Sequence, residues 1–290
     1  MSSPMVRLRG LVPAILVERA RRLVKPPEVS QRRLKRFASA MNRRPHPRLP
    51  REAPRSLAVV VPCFGHADFL ADMFESLLAQ TRPPDEVILV EDRSPDASAE
   101  IVEALIAAHP QFAGGHIKLI RNEANIGQAA SLNRGISAAS TDLVMILNDD
   151  DYLMHDAIES MFVRFDQHRD VALIGTHAIY FTRSEELAAA PKVSTAYAAP
   201  GLPLTIQRPE DVRRYRKYND LNMAHSGSCF YKAAWEAVGG YFADKAERVV
   251  PFSDRDFQLR VNTVWPVAVA YETPFTLWRL GSSVDAGINS

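Results

Sequence analysis

The 290-residue chain is 47% hydrophobic and 24% charged, which is sufficient for a sizeable core and typical of a folded globular enzyme. Two cysteines are too few for a disulfide framework, and no run of about 18 apolar residues is present, so we expect buried, reduced thiols and no transmembrane helix. The net charge of +1 conceals an asymmetry, because residues 1–56 carry 15 basic and 3 acidic side chains and the remainder carries 20 and 31.

Residues 1–56 are predicted to form a basic, proline-rich arm. Apolar residues recur at roughly helical spacing between positions 11 and 23, which predicts a short amphipathic helix followed by an extended linker. Two interpretations stay open: attachment to an anionic membrane surface, or a solvated tail. Nucleic-acid binding is disfavoured because the body is acidic and the arm lacks interleaved aromatic residues. No secretory signal is expected, which favours a cytoplasmic location, peripheral on the inner membrane face under the first interpretation.

The remainder, 57–290, is predicted to be one α/β domain. Short apolar runs at 57–62, 86–90, 116–120 and 143–147 are typical of buried parallel strands. Helical patterns at 67–79, 97–108 and 126–139 alternate with them. This alternation predicts a mostly parallel sheet with helices on both faces, and ligands are expected beyond the carboxyl ends of its strands.

Carboxylates follow two of these four strands. Glu91 and Asp92 follow the second strand, and Asp149, Asp150 and Asp151 follow the fourth. Each group taken alone could serve as turn or helix-cap residues. Their coincidence at the predicted ligand edge instead favours a hard divalent cation, Mg²⁺ or Mn²⁺, which would offset the charge of a diphosphate. No GxxxxGK or GxGxxG loop supports a P-loop or dinucleotide site.

The order and spacing of these segments resemble the inverting, GT-A-fold glycosyltransferases of family 2. The resemblance is strong over residues 57–165, through VVVPCFG, SLLAQTRPPDEVILVEDRSPD, NIGQAASLNRGI and LNDDDYL, and resumes at GGY and SDRDFQLR. It implies a nucleotide-sugar-binding half, 57–165, and an acceptor-binding half, 166–290. It also implies nucleotide contacts from the three strand ends and the 125–127 loop, at positions Pro62, Cys63, Phe64, Glu91, Asp92, Asn125, Gly127, Asn148 and Asp149.

Metal and catalytic positions follow from the same resemblance. Asp150 aligns with the metal-holding Asp of the family, and Asn148 replaces the acid that usually stands two positions earlier. Asp254 aligns with the catalytic base, although Ser253 replaces the Glu that usually precedes it. A structural alternative for Asp254 is a carboxylate stabilised by a helix start. Additional donor or acceptor contacts are predicted at Asp151, His225, Asp256 and Arg279.

A further departure lies near the carboxyl end of the matching region. Family members often carry an aromatic-Arg pair followed by a His, and here Gly281 stands near the expected His. A phosphate or metal contact is therefore missing there, or Arg279 supplies the charge. His225 precedes a predicted short strand, 226–231, and either a structural or a functional role is open for it.

The resemblance implies a metal-dependent, inverting transfer of a sugar from a nucleoside-diphosphate donor, with a UDP-sugar favoured, to a carbohydrate or lipid-linked acceptor in surface polysaccharide assembly. The alternative is a catalytically degenerate nucleotide-sugar-binding or scaffold protein, which the departures at Asn148, Ser253 and Gly281 keep open.

Overall fold

A computed structural model describes residues 31–41, 43, 48–109, 116–194, 204–212, 223–243, 253–271 and 273–282. Within these ranges the chain forms a mixed α/β fold around an eight-stranded, mostly parallel sheet, with a separate three-stranded sheet beside it. The predicted fold class is therefore confirmed.

The elements are numbered along the chain. The strands are β1 (Leu57–Cys63), β2 (Glu86–Glu91), β3 (Ile117–Arg121), β4 (Leu143–Ile146), β5 (Tyr152–Leu153), β6 (Leu173–Thr176), β7 (Ala178–Phe181), β8 (Thr205–Gln207), β9 (Cys229–Tyr231), β10 (Val267–Ala270) and β11 (Thr276–Arg279). The helices are α1 (Gln31–Met41), α2 (Leu70–Leu78), α3 (Ser98–Ala108), α4 (Gln128–Ala138), α5 (Ala157–Gln167), α6 (Ser184–Ala189), α7 (Pro209–Val212), α8 (Lys232–Val238) and α9 (Ser253–Asn262). A 3₁₀ turn, Ala67–Phe69, leads into α2, so the predicted helix 67–79 is divided.

The first four strands form a parallel half-sheet. Its order is β3-β2-β1-β4, and every neighbouring pair in it is parallel. The chain moves outward from β1 to β3 and then returns to place β4 on the other side of β1. Because right-handed crossovers in opposite directions put their helices on opposite faces, this order covers both faces of the sheet. It also creates a switch point between β1 and β4, where a crevice for ligands is expected.

Burial explains why these segments pair as central strands. Every residue of β1, β2 and β4 is buried, as continuous apolar runs require when helices cover both faces. Helix α4 packs against β1 and β2. A Cβ atom at Gly135 would lie 2.6 Å from Val60 Cγ1 and 2.9 Å from Val90 Cγ2, so the small residue permits this close approach.

The second half of the sheet has the order β9-β6-β10-β8. Strand β9 is antiparallel to both β4 and β6, and it therefore joins the two halves. The short strand predicted at 226–231 is confined to β9, because Gly227 has a φ of +82° and Ser228 N donates to the His225 carbonyl in a turn. The smaller sheet has the order β5-β11-β7, in which β11 pairs antiparallel with β5 and parallel with β7.

Part of the predicted linker is instead folded onto the domain. Helix α1 lies within 1–56, and its Leu34 joins the core while Phe37 packs against it. Burying this apolar face of a basic segment explains why 31–41 is helical rather than extended. The helix predicted between 11 and 23 lies outside the described residues. Both cysteines are buried free thiols, as predicted, and no helix among the described residues is long and apolar enough to cross a membrane.

Candidate active site

The candidate site lies at the switch point, beyond the carboxyl ends of β1 and β4. The loop after β4 contains residues 148–151, and it faces the loop after β1 through two bonds to Asp149. Phe64 N donates to Asp149 Oδ2 at 2.9 Å, and the His66 ring lies against Asp149 Oδ1. The structure therefore brings together two strand ends that are 85 residues apart in sequence.

Three consecutive buried carboxylates form the acidic loop. Asp149, Asp150 and Asp151 are 4%, 5% and 1% exposed. Burial and the charge of Asp150 raise the pKa of Asp151 well above its ordinary value, and burial raises that of Asp149 despite the opposing His66 hydrogen bond. Buried carboxylates that lie this close together repel one another unless a cation neutralises their charge.

Arg279 is predicted to contact the donor or acceptor, but the structure places it behind the acidic loop. Its guanidinium is 2% exposed, pairs with Asp72 at 2.6 Å, and lies over the rings of Phe69 and Phe181. Its backbone N donates to Asp151 Oδ1 at 3.0 Å and its Nε to the Asp150 carbonyl at 3.1 Å. These contacts make Arg279 a support for the loop, and its charge is already engaged by Asp72.

His66 is a site residue that sequence reasoning missed. Its Nδ1 lies 2.8 Å from Asp149 Oδ1, and its Nε2 lies 3.0 Å from the carbonyl oxygen of Ser282. Burial alone would lower the pKa of His66, but the hydrogen bond and charge of Asp149, with the charge of Asp150, raise it to about 9. Its position directly after the first strand end was the available signal.

The donor atoms at this edge suit a divalent cation. One ligand atom each from His66, Asp149 and Asp150 lies within 4.8 Å of the others. Two carboxylates and one imidazole match what manganese accepts, and they leave positions for phosphate oxygens and water. Asn148 lies at the rim: its Oδ1 accepts from Gln128 Nε2 and its Nδ2 donates to Asp151 Oδ2, both at 3.2 Å.

Asp92 organises the neighbouring loop, 125–127. Its Oδ1 accepts from Asn122 Nδ2 at 2.7 Å and Ile126 N at 2.8 Å, and its Oδ2 accepts from Gly127 N at 2.8 Å. A carboxylate has about four acceptor positions, so one remains for a ligand N–H. Gly127 has a φ of +85°, which only glycine adopts readily, and so this turn depends on that residue.

The remaining predicted nucleotide positions line the same edge with unequal exposure. Phe64 and Asn125 are half-buried and therefore reachable, whereas Pro62 and Cys63 are buried. Burial, followed by the charges of Asp149 and Glu91, raises the pKa of the Cys63 thiol well above its ordinary value. Cys63 is thus an unreactive packing residue beside the acids rather than a nucleophile. Glu91 Oε1 accepts from Ser94 N at 2.6 Å, which holds the turn after β2.

The predicted base, Asp254, lies in the first turn of α9, next to two polar side chains. Its charge acts on both His225 and Tyr241, and His225 Nε2 lies 3.1 Å from the Tyr241 hydroxyl oxygen. Burial lowers the pKa of His225, against the effect of Asp254, so the imidazole is neutral near pH 7. The adjacent residue, Ser226, accepts from Asn148 N at 3.1 Å through its Oγ. This contact joins the segment that carries His225 to the acidic loop.

Asp256 is the other predicted contact on α9. It is 6% exposed and its Oδ2 accepts from Arg260 Nε at 2.8 Å. Arg260 also donates to the carbonyls of Val238 at 2.7 Å and Gly240 at 2.6 Å. The structure therefore places Asp256 in a buried ion pair that anchors the segment before Tyr241, and Asp254 is the half-exposed carboxylate of this turn.

A comparison with protein families assigns the chain. The family model described as glycosyl transferase family 2 matches residues 58–235, which is more than half of the sequence. The chain belongs to glycosyl transferase family 2. The switch-point site lies within the region that this family shares.

Curated relatives of this family 2 chain include glycosyltransferase GlyG of Streptococcus pneumoniae, 29% identical over 124 residues, which are 43% of this chain and 40% of the relative. The uncharacterized glycosyltransferase YwdF of Bacillus subtilis is 28% identical over 211 residues, 70% of this chain and 67% of that protein. A poly-beta-1,6-N-acetyl-D-glucosamine synthase of Staphylococcus epidermidis is 31% identical over 101 residues, 35% of this chain and 23% of the synthase. The match to GlyG and to the synthase thus spans well under half of either relative.

Solved structures of low identity share the fold. Staphylococcus aureus TarS, in complex with UDP-GlcNAc, superposes with a TM-score of 0.57 at 16% identity, covering 79% of this chain and 60% of TarS. The Pyrobaculum calidifontis mannosyltransferase PcManGT, in complex with GDP-Man and Mn²⁺, gives a TM-score of 0.51 at 19% identity, covering 83% and 63%. This family 2 chain therefore has the GT-A fold that the resemblance implied.

Proposed function

We propose that this family 2 chain is a metal-dependent, inverting glycosyltransferase that moves a sugar from a nucleoside-diphosphate donor to an acceptor hydroxyl. The observation that carries the proposal is the buried acidic loop at the β1–β4 switch point, beside the turn that Asp92 holds. The cation bound to a diphosphate would neutralise the carboxylates of this loop, and the nucleotide base would bind beside Asp92.

A UDP-sugar is the first candidate donor. Asp92 keeps one acceptor position, which suits the imide N–H of a pyrimidine such as uracil. The half-buried ring of Phe64 offers a face on which a base could stack. TarS, which shares the fold, has been crystallised with UDP-GlcNAc.

A divalent cation, Mn²⁺ or Mg²⁺, would be held by Asp150 and its neighbours, and would offset charge on the diphosphate as it leaves. Side chains of the protein carry out the proton transfer. Asp254 removes the proton from the acceptor hydroxyl as that oxygen attacks the anomeric carbon. The attack comes from the face opposite the diphosphate, the bond from the anomeric carbon to the diphosphate oxygen breaks, and the configuration inverts. His225, neutral and bonded to Tyr241, keeps the surroundings of Asp254 free of a competing positive charge.

We propose a carbohydrate or lipid-linked acceptor, in surface polysaccharide or glycoconjugate assembly on the cytoplasmic side of the membrane. The support is the relation to a polysaccharide synthase over 101 residues and the basic character of 1–56. Because Leu34 of α1 belongs to the core of the domain, the test removes only residues 1–30, which lie outside the described part of the chain. Deleting 1–30 should abolish binding to vesicles that contain phosphatidylglycerol while the melting temperature stays unchanged, and unchanged vesicle binding would refute this part.

The proposal is tested by comparing turnover and nucleotide binding in one variant. Asp254→Asn should abolish hydrolysis and transfer from UDP-sugars in the presence of Mn²⁺, while the Kd for UDP with Mn²⁺ stays within about twofold of the wild type, since the carboxylate acts on the acceptor. Glu236→Gln, an exposed carboxylate on α8, is the matched control and should leave both unchanged.

Two results would contradict the proposal. Wild-type protein that binds UDP without turning over any UDP-, GDP- or dTDP-sugar would favour the non-catalytic alternative. Full activity of Asp254→Asn would show that another group takes the proton.

A further inference from the structure

The histidine expected near Gly281 is absent from β11 and the turn after it, yet an imidazole does reach the acidic loop. It is His66, which lies on the loop after β1, 215 residues before Gly281 in the sequence. Resting on the proposed function, we infer that His66 is a direct protein ligand of the divalent cation, together with Asp149 and Asp150.

The spacing of the donor atoms supports direct ligation. Adjacent ligands of an octahedral ion with bonds of about 2.1 Å lie about 3 Å apart. The distance of 2.8 Å between His66 Nδ1 and Asp149 Oδ1, a hydrogen bond in the absence of a cation, is close to this spacing, so a cation could bind both atoms with little movement of either side chain. Asp150 offers a third atom within 4.8 Å of both, and all three side chains are largely buried.

The orientation of the ring provides a second, independent argument. Nε2 lies 3.0 Å from the Ser282 carbonyl oxygen, which can only accept, so Nε2 carries the proton. Without the cation, Nδ1 also donates, to Asp149 Oδ1 at 2.8 Å, and a bound cation would take the place of that Nδ1 proton while Nε2–H keeps its carbonyl partner. Metal-bound histidines commonly donate their second N–H to a backbone carbonyl in this manner, which fixes the tautomer.

The turn after β11 thereby acquires a different role. Ser282 orients His66 through its carbonyl, and its hydroxyl donates to Asp150 Oδ2 at 2.5 Å. The segment that holds a histidine in other family members here positions the two ligands from outside the coordination sphere. The missing histidine near Gly281 thus does not remove the nitrogen ligand; the structure assigns it to a different loop.

The experiment uses the full-length protein with Mn²⁺ alone. Pulsed electron paramagnetic resonance of the bound Mn²⁺ should detect coupling to an imidazole nitrogen, and incorporation of ¹⁵N-histidine should change that coupling without any change in the fold. His66→Gln should abolish the coupling and raise the Kd for Mn²⁺ by at least about tenfold. His155→Gln is the matched control, since His155 Nε2 is bonded to the Tyr152 hydroxyl at 2.9 Å and lies outside the cluster.

The inference is overturned by Mn²⁺ that binds to wild-type protein without nitrogen coupling, by coupling that survives in His66→Gln, or by the absence of Mn²⁺ binding. In the first case, His66 would instead be a protonated side chain that contacts the diphosphate directly. The readout is independent of turnover. Nitrogen coupling that His66→Gln abolishes, in a protein that transfers no sugar, would uphold the ligand and refute the proposed function.

Discussion

Asp92→Asn tests whether the second strand end positions the nucleotide loop. The wild-type carboxylate uses both oxygens: Oδ1 serves Asn122 and Ile126, and Oδ2 serves Gly127. An asparagine has one acceptor oxygen and one donating amide nitrogen. At least one buried donor must therefore face another donor in the variant.

The least costly orientation keeps the oxygen towards Asn122 and Ile126 and turns the amide nitrogen towards Gly127. Losing a hydrogen bond to a charged group costs about 1.5–3 kcal/mol, and each of the two retained bonds weakens by about 1 kcal/mol when the acceptor becomes neutral. We therefore expect the free energy of unfolding to fall by about 4 kcal/mol. The affinity for UDP should fall by at least about tenfold, because the same loop borders the proposed base site.

Urea unfolding followed by circular dichroism measures the first quantity, and calorimetric titration with UDP and Mn²⁺ measures the second. Asp142→Asn is the matched control. Arg55 N, Ser56 N and Ser56 Oγ all donate to Asp142 Oδ2, so an asparagine oxygen can serve the same three donors, and because these bonds are exposed, water screens the charge and the total loss should stay within about 1 kcal/mol. A stability of Asp92→Asn within about 1 kcal/mol of the wild type would refute the reasoning, because that difference is no more than the control should show.

Three further variants probe the supports of the site. Arg279→Met should lower the free energy of unfolding by about 3 kcal/mol, since it breaks the buried pair with Asp72 behind the acidic loop. Gly240→Ala should cost about 2–3 kcal/mol, because its φ is +69° and the new Cβ would lie 2.7 Å from Asn133 Oδ1. Glu86→Gln should reduce acid sensitivity. Burial raises the pKa of Glu86, but the hydrogen bonds from Ser140 and Lys118 and the charge of Lys118 together lower it overall, so its stabilisation is present above its ordinary pKa and is lost as pH falls through the lowered one. All three are measured by urea unfolding, the last at pH 7 and pH 3.

Each of these variants has an exposed counterpart. Arg183→Met removes an exposed guanidinium and should change stability by less than about 0.5 kcal/mol. Gly65→Ala meets no atom within 4 Å, so it should cost only the strain of its φ of +74°, about 1 kcal/mol. Glu103→Gln should change the free energy of unfolding by less than about 0.5 kcal/mol at either pH, because Glu103 is exposed and its ion pair with Arg121 lies in water. Equal losses within the first two pairs, or an unchanged acid profile for Glu86→Gln, would contradict the assigned contacts.

The half-sheet was predictable because local pattern and burial agree there. Strands β1, β2 and β4 are continuous apolar runs and are buried on both faces, so composition alone identifies them. Strand β3 lies one residue later than predicted, and α4 begins two residues later because Gly127, with its φ of +85°, precedes the first turn of the helix. The acids at the strand ends were also predictable, because parallel strands place their carboxyl ends at one edge.

Helix α1 was missed for a different reason. Its basic composition resembles that of a solvated arm, and only the contact of Leu34 and Phe37 with the domain core selects the helix. Similarly, Asp256 and Arg279 carry charges that suggest ligand contacts. Burial against Arg260 and Asp72 shows instead that each forms an internal ion pair.

By itself, the sequence determined the α/β architecture and the edge at which chemistry occurs, because apolar periodicity is local and parallel topology follows from it. Only the tertiary structure decided which side chains meet at that edge. His66 and Asp149 are 83 residues apart, and Arg279 reaches Asp72 across 207. Such contacts produce no periodic pattern in the sequence. They depend on which loops the tertiary packing brings together at one edge of the sheet.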